Sequence, residues 1–106
     1  MIEFMENRLH WNENQPLKEL SAALALSDDP VMINNFLSAL FTDAEVREVG
    51  KRWALVRLLE DGMSQRNIAK SLGLSLCKIT RGSKELKKSN SAFRKMIELY
   101  KTRVPK

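Results

Sequence analysis

Side chains that could contact nucleic acid are concentrated in the second half of this sequence. Ser75, Cys77, Lys78, Thr80 and Arg81 lie in one short stretch. Lysine and arginine can donate to guanine, serine and threonine can bond either kind of base, and a small apolar group such as cysteine can meet a thymine methyl. Polar and basic side chains of this kind at the start of a helix indicate the reading of base edges in DNA.

Two short predicted helices would position these side chains. Ser64 can cap a helix over 65–72, and Gly73 suits the left-handed residue that ends it. Ser75 can cap a second helix from 76 to about 88. Two short helices joined by a glycine-containing turn predict a helix-turn-helix. The alternative from the pattern alone is an ordinary helical hairpin with a solvated basic face.

Basic residues around this motif suit the phosphates of DNA. They are Arg66 and Lys70 on the first helix, and Lys84, Lys87 and Lys88 on the second. The formal net charge of +5 is unevenly distributed: residues 63–106 carry twelve basic and two acidic side chains, whereas residues 1–62 carry six basic and eleven acidic ones. One basic half is typical of nucleic-acid binding, although a solvated lysine-rich surface has the same composition.

The rest of the chain also predicts helices, so we expect an all-α fold. Pro16 favours the start of a first helix, and Asp29 with Pro30 favours a second that reaches about Leu40. Thr42 and Glu45 form a capping box for a third helix, which ends at residues 61–62, and a last helix covers about 91–101. The apolar positions of these helices are Leu17, Leu20 and Leu24 in the first, Val49, Trp53, Leu55, Val56 and Leu59 in the third, Ile68, Leu72, Leu76, Ile79 and Leu86 in the helix-turn-helix, and Phe93, Met96, Ile97 and Tyr100 in the last.

Length and composition narrow the function classes. We expect one small domain over residues 16–106 and an N-terminal arm over 1–15, with disorder of the arm as one alternative. Burial is limited in a chain this short, so a partner subunit would add to the core. No segment predicts a membrane span or a signal peptide, and the single cysteine suits a reducing cytoplasm. One histidine, one cysteine and no metal-spaced cluster or phosphate loop give no basis for an enzyme or a metal site.

Two groups of residues in this chain match a known family at the family's spacing. Met63-Ser64-Gln65-Arg66 is followed by Ile79-Thr80-Arg81-Gly82-Ser83, and Thr42, Gly50 and Arg52 add a second match upstream. Over about residues 30–103 the chain therefore resembles the tryptophan repressor family. The resemblance implies a six-helix intertwined homodimer with a helix-turn-helix DNA-reading head. The implied contacts to double-stranded operator DNA come from Gln65, Arg66, Lys70, Ser75, Leu76, Cys77, Lys78, Thr80, Lys84 and Lys87.

The resemblance also implies a pocket for L-tryptophan as corepressor. Arg52 and Arg81 would sandwich the indole, and Arg81 would pair with the carboxylate with help from the Thr42 hydroxyl. A guanidinium is suited to both roles because it stacks on aromatic faces and binds carboxylates through two parallel hydrogen bonds. The carbonyls of Ala39 and Phe41 would accept from the ammonium. The complete implied set is Ala39, Phe41, Thr42, Arg52, Val56, Arg81, Gly82 and Glu85.

The chain departs from the family pattern where function is decided. Glu85 stands where serine is usual, and it could receive the ligand's ammonium or repel its carboxylate. Leu76, Cys77 and Lys78 replace the usual isoleucine, alanine and threonine, which leaves the operator open, and the loop at 61–62 is one residue shorter. The function implied is a tryptophan-activated repressor of tryptophan biosynthesis or transport genes. The alternatives are a related regulator with another effector or none, and a helical dimer whose basic face binds an acidic protein.

Overall fold

The computed structural model describes residues 14–103, and these form six α-helices without a β-strand. The helices are α1 (Gln15–Leu26), α2 (Pro30–Leu40), α3 (Asp43–Glu60), α4 (Gln65–Leu72), α5 (Leu76–Lys87) and α6 (Ala92–Arg103). The all-α prediction is confirmed for this part of the chain. The predicted N-terminal arm lies outside the described residues except for Asn14 and Gln15. None of the helices in the described part has the length and hydrophobicity that crossing a membrane requires.

The described residues divide into two compact units between Thr42 and Asp43. The first unit contains α1 and α2. Asp29 caps α2 as predicted, because its carboxylate accepts a hydrogen bond from the Val31 N–H at 3.0 Å. Neither helix of this unit has a buried residue. The predicted stripe on α1 is therefore only partly covered: Leu20 and Leu24 are half-buried, whereas Leu17 is exposed.

The second unit is built around α3, which contributes two adjacent residues to two different clusters. Leu55 packs with Ile68 of α4 and Ile79 of α5, whereas Val56 packs with Leu86 of α5 and Ile97 of α6. Successive residues of a helix point about 100° apart. This separation lets one helix support α4 and α5 on one side and α5 and α6 on another.

The boundaries of α4 and α5 follow from local chemistry. The Ser64 hydroxyl accepts from the Asn67 N–H at 3.2 Å, and the Ser75 hydroxyl accepts from the Lys78 N–H at 3.3 Å. Gly73 ends α4 with φ 63° and ψ 38°, the left-handed conformation that a side chain would disfavour. The two predicted caps and the predicted glycine turn are confirmed. Residues 73–75 join the two helices.

Some residues predicted to pack are exposed instead. Leu76 has 60% of its surface exposed, although Ile79, one turn further along α5, is fully buried. Leu76 lies instead on the open side of α5 with Cys77, Thr80 and Lys84. Val49 is 44% exposed, because the buried part of α3 is centred on Leu55 and Val56. In α6, Ile97 is buried and Phe93 half-buried, whereas Met96 is 55% exposed and Tyr100 is 47% exposed with the Arg57 guanidinium over its ring.

Candidate ligand pocket and nucleic-acid interface

A cavity of about 300 Å³ lies within the second unit, mainly between α3 and α5. Its volume is at the lower end of the range for small-molecule sites, about 300–1,000 Å³. Apolar side chains and charged side chains share its wall. The lining residues are Glu48, Lys51, Arg52, Leu55, Leu74, Lys78, Arg81, Gly82, Glu85 and Phe93.

Each of the two helices presents one face to the cavity. On α3 the lining residues are 48, 51, 52 and 55, and on α5 they are 78, 81, 82 and 85. Both sets have the spacing i, i+3, i+4, i+7, which places side chains on one side of an α-helix. Gly82 allows the helices to approach, since a Cβ there would lie only 2.9 Å from Leu55 Cδ2.

Some of the charged side chains that line the cavity already form ion pairs. Lys78 Nζ donates to Glu48 Oε2 at 3.0 Å, and this hydrogen bond is the main reason why the pKa of Glu48 is below its ordinary value of 4.5. The charge of Lys78 lowers the pKa further, and Lys51 and Arg52 contribute less. Both carboxylate oxygens of Glu85 contact Lys88 Nζ, at 3.0 and 2.9 Å. The two acids are thus paired, and the cavity also has three further cations, Lys51, Arg52 and Arg81, that can bind an anion.

The structure brings together four of the eight residues that were predicted to bind the ligand. Arg52, Arg81, Gly82 and Glu85 all line the cavity. Val56 lies instead in the second hydrophobic cluster, fully buried, and its neighbour Leu55 reaches the cavity wall. The other three residues are Ala39, Phe41 and Thr42, which belong to the first unit, so their roles stay predictions.

Sequence reasoning missed Glu48, Lys51, Leu55, Leu74 and Phe93 as cavity residues. The first three could have been found, because helical spacing around Arg52 places positions 48, 51 and 55 on the same face. The spacing around Arg81 likewise includes position 78, which was predicted only as a DNA contact. Helical spacing could not have indicated Leu74 and Phe93, because Leu74 lies in the turn between α4 and α5 and Phe93 lies in α6.

The ten residues predicted to contact DNA are all exposed on α4, α5 or the turn between them. Between positions 64 and 88 the chain has seven basic residues and one acidic residue. Leu76, Cys77, Thr80, Arg81 and Lys84 also line a shallow groove on α5. Lys78 differs from its neighbours because its ammonium is already bound by Glu48. The surface is basic and open, as contact with phosphates requires.

Comparison with known proteins identifies the family. A family model described as Trp repressor protein matches residues 15–101. The chain belongs to the Trp repressor family. Members of this family are transcription regulators, and the chain is accordingly a Trp-repressor-like regulator. Within the described residues, no group of histidine, cysteine and acidic side chains could hold a metal ion.

Relatives of this chain occur among chlamydial proteins. A Trp operon repressor homolog of Chlamydia trachomatis serovar L2 is 34% identical over 67 residues, which cover 62% of this chain and 71% of the relative. The homolog of serovar D is 33% identical over 67 residues, which again cover 62% of this chain and 71% of the relative. That of Chlamydia caviae is 31% identical over 70 residues, covering 65% of this chain and 69% of the relative. No solved structure matches the chain significantly.

Proposed function

We propose that this protein is an L-tryptophan-activated repressor that binds operator DNA as a homodimer and controls genes of tryptophan biosynthesis or transport. One observation carries the proposal: α5 contributes Arg81 and Gly82 to the cavity and also carries the exposed residues Cys77, Thr80 and Lys84. A ligand in the cavity would therefore touch the same helix that faces DNA. In this proposal α4 and α5 form the helix-turn-helix, and α5 is its recognition helix.

The cavity has the chemistry that an aromatic amino acid needs. Leu55, Leu74 and Phe93 provide apolar surface, and Arg52 and Arg81 provide two planar cations from opposite helices. A guanidinium can stack on an aromatic face and can bind a carboxylate through two hydrogen bonds. In the proposal these two arginines hold the indole, and Arg81 also binds the carboxylate. The remaining contacts come from the Thr42 hydroxyl, the Ala39 and Phe41 carbonyls and the backbone at Gly82.

Glu85 keeps a second candidate effector open. Its carboxylate is held by Lys88, three residues further along the chain, which reduces its repulsion of a ligand carboxylate. The same pairing reduces its attraction for an ammonium group. A related regulator that responds to an aromatic acid without an amino group, or to no ligand, is therefore the alternative that this residue favours.

Ligand binding can control DNA binding only if the two states of the protein differ in ligand affinity. A ligand held between Arg52 and Arg81 contacts both α3 and α5, so it favours arrangements in which these helices keep one distance. In a dimer this fixes the separation of two recognition helices, which must reach successive major grooves about 34 Å apart. Linkage requires operator DNA to raise the affinity for tryptophan by the same factor by which tryptophan raises the affinity for DNA. Coupling free energies of this kind are typically about 1–3 kcal/mol.

Isothermal titration of the purified protein with L-tryptophan tests the proposal. Indole-3-propionate and L-phenylalanine are the comparison ligands, because the first lacks the amino group and the second lacks the indole. We expect saturation at one tryptophan per chain and weaker binding of phenylalanine. Binding of indole-3-propionate alone would favour the alternative effector. No heat with any of the three, from a folded protein that binds DNA, would contradict tryptophan activation.

A further inference from the structure

An ion pair joins the two helices that form most of the cavity. Lys78, in the first turn of α5, places its Nζ 3.0 Å from Glu48 Oε2 on α3, thirty residues earlier in the chain. Ion pairs elsewhere in the described residues lie in other parts of the chain: Arg94 of α6 pairs with Glu60, Lys101 of α6 pairs with Asp61, and Lys88 pairs with Glu85, three residues before it. The contact between Lys78 and Glu48 therefore links α5 directly to α3.

Lys78 stands at the border of two surfaces. Its side chain lines the cavity, yet it also belongs to the exposed start of α5 beside Cys77 and Thr80. Its ammonium can bind the Glu48 carboxylate or a DNA phosphate or base, but it cannot make its best contact with both. A lysine stem is long and flexible, so the ammonium can turn from one partner to the other without movement of the helix.

Moving the Lys78 ammonium from Glu48 to DNA costs little free energy, because the ion pair is open to water. The side chains of Lys78 and Glu48 are 55% and 47% exposed, and exposed pairs of this kind contribute little to stability. Glu48 also keeps cationic neighbours when Lys78 leaves. Lys51 and Arg52, three and four residues along α3, both lower its pKa in addition to Lys78.

We propose that Glu48 competes with DNA for Lys78, so that DNA binding requires the Glu48–Lys78 pair to open. The inference rests on the proposed DNA-binding function. Glu48 is then a positioning residue: it does not touch DNA, and it determines how freely Lys78 can do so. Replacing its carboxylate by an amide of the same shape should strengthen DNA binding, and the gain should depend on Lys78.

A double-mutant cycle tests this dependence. The four proteins are the wild type, Glu48→Gln, Lys78→Gln and the double variant, and the readout is the anisotropy of a fluorescein-labelled 30-base-pair duplex of mixed sequence, with and without saturating L-tryptophan. Asp61→Asn is the matched control, because it removes one carboxylate from another lysine pair outside the cavity. We expect Glu48→Gln to bind the duplex about twofold to fivefold more tightly, the range set by exposed ion pairs. We expect no gain for Asp61→Asn, or for Glu48→Gln in the Lys78→Gln background.

The outcomes separate the inference from the proposed function. An equal gain from Glu48→Gln with and without Lys78, or an equal gain from Asp61→Asn, would mean that only the overall charge matters, and the competition would be wrong. No gain from Glu48→Gln in a protein that binds the duplex would overturn it as well. Failure of the folded wild type to bind the duplex under both conditions would overturn the competition and the DNA-binding function together.

Discussion

Gly82 lies where α5 packs closely against α3. A Cβ at this position would be 2.9 Å from Leu55 Cδ2 and 3.3 Å from Leu55 Cγ. Leu55 has little freedom to move, since it is buried with Ile68 and Ile79. The absence of a side chain at position 82 is therefore a packing requirement, and it also opens one part of the cavity wall.

Replacing Gly82 by alanine should destabilise the protein. We expect the free energy of unfolding to fall by about 1–3 kcal/mol, the usual cost of an overpacked core. Gly50→Ala is the control, because a Cβ there meets nothing within 4 Å. That variant should gain about 0.5–1 kcal/mol, since alanine is the better residue in a helix. Urea unfolding of both variants checks the prediction, and equal shifts in one direction would contradict it.

Arg81→Ala should abolish most of the affinity for L-tryptophan without loss of stability. Arg81 is exposed, so the urea unfolding curve should remain unchanged. Charge-assisted hydrogen bonds contribute about 1.5–3 kcal/mol, which corresponds to a loss of about tenfold or more in affinity. Titration calorimetry gives the affinity. Arg66→Ala, which removes an exposed arginine away from the cavity lining, should bind as the wild type does.

Helix boundaries were predictable wherever the end of an element has a local chemical cause. For α4 both ends agree with prediction, because Ser64 caps the start and Gly73 adopts the left-handed conformation at the end. The extent of packing was not predictable in this way. Periodicity places Leu76 on the buried face of α5, but it does not tell how far the neighbouring helices extend. Pairing of Glu48 with Lys78 is likewise a tertiary property that spacing along one helix cannot indicate.

The cap of α5 can be tested by itself. Ser75→Ala removes the hydroxyl that accepts from the Lys78 N–H, so we expect the protein to lose about 1 kcal/mol of unfolding free energy. Ser71→Ala is the matched control, because Ser71 is an exposed serine inside α4 and alanine is a good helix former. Thermal unfolding followed by circular dichroism should separate the two variants. Loss of stability in both would mean that the capping bond is not the cause.

The Asp61–Lys101 pair should make stability depend on pH. Lys101 donates to Asp61 at 2.6 Å, and this hydrogen bond is the main reason why the pKa of Asp61 is below its ordinary value of 3.8. A lowered pKa in the folded state adds stability above the ordinary pKa, and this contribution disappears as the pH falls through the lowered value. Lys101→Gln should therefore have a slightly lower Tm than the wild type at neutral pH. The difference should vanish in acid, and Lys95→Gln, which changes an exposed lysine of the same helix, should show no such dependence.

At the scale of the whole molecule, the two units differ in how they bury apolar surface. The second unit has two hydrophobic clusters, whereas the helices of the first unit bury no residue. Leu26, Val31, Met32 and Leu40 are all at least 48% exposed. Burial of these side chains against a partner would remove apolar surface from water. This exposure supports the homodimer that the sequence resemblance implies.

Phe36→Glu should weaken that dimer. Phe36 is 40% exposed on α2, so a partner covering that fraction would gain about 0.6–1.2 kcal/mol from it, and the dimer dissociation constant should rise at least about threefold. Asn35→Glu adds the same charge to the same helix at an exposed polar position and serves as the control. Sedimentation velocity over a concentration series measures both. Equal effects of the two changes would attribute dissociation to charge alone.

Along α5, the buried residues that hold the helix in place differ from the exposed residues, and this separation affects how such regulators can diverge after gene duplication. The residues that anchor the helix are Ile79, Gly82, Ser83 and Leu86, and they are separate from the exposed Leu76, Cys77 and Thr80. Under the proposed function, a duplicated gene could therefore accumulate changes at these exposed positions and acquire new target promoters while it inherits an intact fold and effector. Lys78 and Arg81 are exceptions, because each lies both at the cavity and on the exposed side of α5, so under the proposed function a change at either would alter promoter choice and metabolite response in one step.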